Sequence, residues 1–136
     1  MLRPVSPRIV FQVLSLLGGC VVGSLAVNAQ TSTEKPLVVI SEATSTRAIA
    51  FESTTFRKEP FSLSTPLASD GRTRIMIFAL NLALKPNEDA SAITAEAETA
   101  DHVHHALRVE YAAPLATLPW LSSIILRLSD DLVDSG

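Results

Sequence analysis

The chain has 136 residues, room for one domain of ordinary size, with 47% apolar residues, 18% charged residues and a formal charge of −3. This is too apolar for a disordered chain, and the acidic balance argues against nucleic acid and anionic membrane surfaces as partners. Three parts follow from the residue pattern: an export segment at 1–29, a polar lead-in at 30–36 and one domain at 37–136.

Residues 1–29 read as a helical signal peptide. Arg3 and Arg8 form a positive start, 9–27 carries no charge, and Val27-Asn28-Ala29 is a small-residue cleavage site that makes Gln30 the mature start. Two other readings stay open. The apolar run 9–27 is long enough to span a bilayer uncleaved. Leu17-Gly18-Gly19-Cys20 has the form of a lipobox, in which Cys20 is lipidated, although an apolar run follows it where a polar tether is usual. Cleavage after Ala29 removes the sole cysteine and two arginines, taking the formal charge from −3 to −5 and leaving a domain held by its core without disulfides.

Short strands are predicted at 37–40 and 46–53, separated by the polar run Ser-Glu-Ala-Thr-Ser. A turn with Pro60 follows, then a half-buried strand at 61–65 with Phe61 and Leu63 inward. Asp70-Gly71 is the best turn dipeptide, and it introduces the strongest strand signal, 72–84. There Thr73, Ile75, Ile77 and Ala79 share one face and Arg74, Met76, Phe78 and Leu80 the other, so a central strand covered on both sides is expected. A turn at 85–91 leads to 92–99, where three alanines and two glutamates would also suit a helix but the strict period of two favours a strand with Ile93, Ala95 and Ala97 inward. Residues 102–105 are predicted as a turn before a strand that places Leu107, Val109 and Tyr111 on one side. The loop 114–119 ends at Trp120, and the last strand, 121–128, puts Ile124, Leu126 and Leu128 on one face. An acidic end, 129–136, closes the chain.

Short strands at turn spacings of about 8–12 residues indicate an all-β, antiparallel β-sandwich of about six or seven strands. The stretches RAIAFESTTFRKEPFSL, RIMIFALNLAL and ITAEAETADHVHHALRVEYAAPLATLPWLSSIILRLSDDL resemble an immunoglobulin-like or fibronectin III-like module of exported bacterial proteins. The resemblance implies a structural or adhesive module with no activity to carry over. Such modules continue through a further hairpin, and a proline commonly follows the strand where this chain has Ser129. An incomplete sandwich with an open edge is therefore expected.

No catalytic, cofactor or metal residue is assigned. Asp101, His102, His104 and His105 form the one cluster of metal-ligand types, and His102 with His104 on an extended segment supports the alternative of a small metal-dependent hydrolase. The cluster lacks third and fourth ligands nearby and reads as a solvated turn. Glu88 with Asp89, and Asp130 and Asp131 with Asp134, lack the spacing of a calcium loop and read as turn caps. Tyr111 and Trp120 read as core or corner residues, against the alternative of an aromatic binding patch. The expected partner is another protein or a cell-surface polymer, met by the loops 85–91 and 101–105 or by an edge strand that adds to another sheet. The alternative topology is a membrane-tethered interaction protein.

Overall fold

The computed structural model describes Lys35, residues 37–99 and residues 102–132. The export segment, its alternatives at 9–27 and Cys20, nearly all of the lead-in, Asp101 and Asp134 lie outside the described residues.

The order is β1 (Val38–Val39), β2 (Ala50–Glu52), β3 (Arg74–Leu80), a short 3₁₀ helix (Ala90–Ala92), β4 (Ala95–Glu98), β5 (His104–Pro114) and β6 (Leu121–Arg127). All strand pairs are antiparallel, in the order β1-β3-β6-β5-β4, with β2 also on β3. Apart from the short 3₁₀ helix, the described residues are thus all-β, a curled antiparallel sheet.

β3 is the central strand the sequence predicts, shortened at both ends. Its alternating pattern becomes alternating burial: Ile75, Ile77 and Ala79 are 0–1% exposed, while Arg74, Met76, Phe78 and Leu80 are half-buried. The register carries this parity into β6, where Ile75 faces Leu126 and Ile77 faces Ile124. β-Branched side chains in such rows lock the register, because a one-residue slip would bring every apolar side chain to the other face. The expected cover on both faces is corrected: one face is the core and the other keeps partial access to solvent. Asn81, at φ 61°, ends β3 by leaving extended geometry.

β1 and β2 lie end to end along the same edge of β3. Val39 pairs with Ala79 and Ala50 with Ile77. Between them the polar run 41–47 makes a hairpin excursion, closed by Glu42 N–H donating to Arg47 O and Ile49 N–H to Ile40 O, both at 2.9 Å. The expected strand at 61–65 is reduced to one bridge, Ser64 with Arg72. Pro60 and Pro66 bracket it without backbone donors, which shortens any ladder there. Its parity nevertheless holds, with Leu63 buried and Ser62 and Ser64 exposed.

The expected acidic end also has an inward component, since Leu132 is buried with Leu63 and Leu128 at one end of the core. The Arg72 guanidinium holds it there by donating to Ser129 O and, at 3.2 Å, to Leu132 O.

Candidate functional site

The histidine cluster falls on the β4–β5 hairpin. Thr99 N–H donates to Val103 O and His102 N–H to Thr99 O, both at 2.9 Å, so the turn spans 99–103. β5 begins at His104, which makes His104 and His105 strand residues and corrects the predicted turn at 102–105. His102, at φ 63°, is out of the extended conformation that would have aligned it with His104. His102 Nδ1 faces the Glu98 carboxylate, and His104 Nδ1 lies 3.5 Å from Glu96 Oε2. The two rings therefore have separate carboxylates and are 85% and 54% exposed. No group of three or more His, Cys, Asp or Glu side chains able to hold a metal occurs among the described residues.

The loop carboxylates are engaged locally. Asp89 accepts from Ser91 Oγ at 2.6 Å and Ser91 N–H at 2.8 Å, and these bonds hold its carboxyl below the usual range. Glu88 accepts from Lys85 N–H at 2.9 Å. The loop 85–91 and the hairpin 99–103 flank β4, one before it and one after it.

The strongest charge assembly was not visible as a motif, because its members are far apart in sequence. Arg74 on β3 stands directly opposite Arg127 on β6, which stands opposite Arg108 on β5. Like charges in facing positions repel. Asp70, in the turn before β3, relieves the first pair by accepting from both Arg74 and, at 2.7 Å, Arg127 Nε. These bonds, Arg74 foremost, hold the Asp70 carboxyl well below the usual range. Glu110 accepts from Arg74 Nε at 2.9 Å, and Asp130 takes Arg127 and Arg72. The assembly fastens the turn around Gly71 and the segment 129–132 to the sheet. Gly71 itself, at φ 69°, occupies a left-handed turn position that suits glycine.

A β-bulge in β5 changes what that strand presents. Val109 pairs with Leu126 but Tyr111 pairs with Ile125, which leaves Glu110 as the extra residue. Leu107 and Val109 face the core before the bulge, whereas Tyr111 faces outward after it and is 48% exposed. Trp120, 62% exposed, sits in the tight turn closed by Leu115 N–H donating to Leu121 O at 2.8 Å. Of the expectation that Tyr111 and Trp120 are core or corner residues, the core placement is corrected on these grounds, while Trp120 lies in the turn between β5 and β6. Strict period-two counting carried Tyr111 to the wrong face because the extra residue has no signature in its own side chain.

β5 also outruns its neighbour. β4 pairs with 104–107 only, the last pair being Ala95 with Leu107, while β5 continues to Pro114. The chain preceding β4 turns onto itself instead, Ala92 N–H donating to Asp89 O at 3.0 Å and Ile93 N–H to Ala90 O at 3.1 Å. A trough of about 670 Å³ opens between 89–96 and 106–110. Among the described residues no strand lies along 108–114 on the side away from β6.

No family model, no curated protein and no solved structure matches this chain.

Proposed function

We propose that this chain is an exported, non-enzymatic recognition module with a structural or adhesive role, of the immunoglobulin-like or fibronectin III-like sandwich kind found in exported bacterial proteins. The observation that carries the reading is the unpaired stretch of β5 beyond β4. Backbone donors and acceptors along such an edge form a template for another chain, which natural sheets otherwise cover or blunt. The charged side chains support the same reading, since Arg72, Arg74, Arg127, Asp70, Asp130 and Glu110 tie β3, β5 and β6 to the turn at Asp70 and to the segment at Asp130. His102 and His104, each facing its own glutamate, give the metal-dependent hydrolase no supporting arrangement.

Export is the testable part of this reading. Mass spectrometry of the protein recovered outside the producing cell's cytoplasm is expected to find Gln30 as the first residue. An intact Met1 would point to the tethered alternative through 9–27, and a lipidated Cys20 to an anchored one; either result contradicts free export.

A further inference from the structure

Resting on the reading of the chain as a recognition module, we propose that the open edge of β5, residues 108–113, takes up an extended basic peptide as an added strand. The backbone supplies the pairing, and the trough beside it supplies the selectivity.

Pairing is available because β5 is already ordered on its other side, where 108–114 align with β6 over Arg127 to Ser122. An edge held in extended geometry by one neighbour has little left to order when it accepts a second, and the bulge at Glu110 divides it into 108–109 and 111–113. The 3₁₀ helix Ala90–Ala92 before β4 packs beside β5 but does not pair with it, since Ala92 and Ile93 direct their N–H groups to Asp89 and Ala90.

Selectivity follows from the trough's two surfaces. Its apolar part is Ile93, Leu107 and Val109, each 6–9% exposed, which suits small aliphatic side chains on one parity of the incoming strand. Its polar rim carries Asp89, Glu96 and Glu110 against one cation, Arg108. Glu110 is already neutralised by Arg74, but Glu96 is 49% exposed with His104 at 3.5 Å, and Asp89 takes only Ser91. The rim therefore keeps an excess of negative charge, complementary to lysine or arginine on the other parity of the peptide. A second copy of this chain is a poorer occupant, since its formal charge of −3 repels the same rim.

The test uses the full chain and three synthetic peptides the length of 108–114. One alternates lysine with valine, the second alternates glutamate with valine, and the third is the lysine peptide with alternate backbone nitrogens methylated. Binding is followed by amide exchange resolved to single residues. The lysine peptide is expected to slow exchange within 108–113 and to bind more weakly as salt is raised. Glu96→Lys is expected to weaken it about two- to fivefold, the range of one exposed ion pair, with the exchange of the Leu126 amide confirming that the variant is folded. Equal binding of the methylated or the glutamate peptide overturns the proposal, as does protection outside 108–113 or no binding of the lysine peptide at millimolar concentration. Failure of the underlying reading registers separately, as turnover of a hydrolysable substrate by the same full chain.

Discussion

Replacing Leu126 by alanine is expected to cost about 2–5 kcal/mol of folding stability, whereas Ile125→Ala, one residue earlier on β6, costs less than half as much. Leu126 is 0% exposed and stands between Ile75 on β3 and Val109 on β5 in the buried row. Truncation there removes apolar burial and leaves a cavity that the rigid rows of isoleucine cannot collapse into. Ile125 lies on the other face, beside Met76 and Tyr111, where solvent already reaches the side chains. Urea denaturation of the two variants measures the difference. Equal losses would mean that a second layer covers the outer face, and the one-sided core described above would be wrong.

Glu52→Ala is the second substitution with a large expected effect, about 1–3 kcal/mol at neutral pH, because it deprives several donors of a partly buried acceptor. Glu52 closes β2 and is 8% exposed. Its carboxylate accepts from Thr55 N–H at 2.7 Å, from Thr54 N–H at 3.3 Å and from the Thr55 hydroxyl. Burial pushes the carboxyl up, but the bonds from Thr55 and Thr54 together outweigh it, and the net shift is downward. A carboxyl with a lowered folded pKa contributes stability that is present above its unfolded value and is lost as pH falls through the folded value. The wild-type protein should therefore lose its advantage over Glu52→Ala as pH is lowered from about 7 to about 3, read as converging thermal midpoints. A gap that stays constant across that range would show that the carboxylate charge is not what holds the turn.

Much of this architecture is legible from local residue pattern. The alternation in 72–84 fixes the buried parity of β3, and Ile124, Leu126 and Leu128 do the same for the last strand. Ala95 and Ala97 against Glu96 and Glu98 identify β4 although each of these residues also favours helix. What pattern alone misses is set by pairing between distant segments. The split edge made by β1 and β2 exists because both find β3, and the polar excursion between them reads as a plain interruption. The bulge at Glu110 is a mismatch between two strands, so neither strand's sequence contains it. The same holds for Asp70, whose role depends on Arg127 being brought to Arg74 by β-sheet register.

The candidate site was legible to a similar depth. The hairpin bearing His102 and His104 is recognisable, but its carboxylate partners depend on the left-handed turn at His102 and on the β4–β5 register. The open edge arises from a difference in length, four residues of β4 against eleven of β5, that becomes apparent only once the two strands are aligned. The notion that recognition uses an edge strand is available from the strand pattern. Its location is not.

Hydrogen exchange of the free full chain at single-residue resolution tests the open edge most directly. In an edge strand, successive N–H groups alternate between the paired side and solvent. Amides of 108–113 that face β6 are expected to exchange slowly and those facing away quickly, while β3, bonded on both sides, is protected throughout. Continuous protection across 108–113 would mean that this edge is already covered, and would contradict the account.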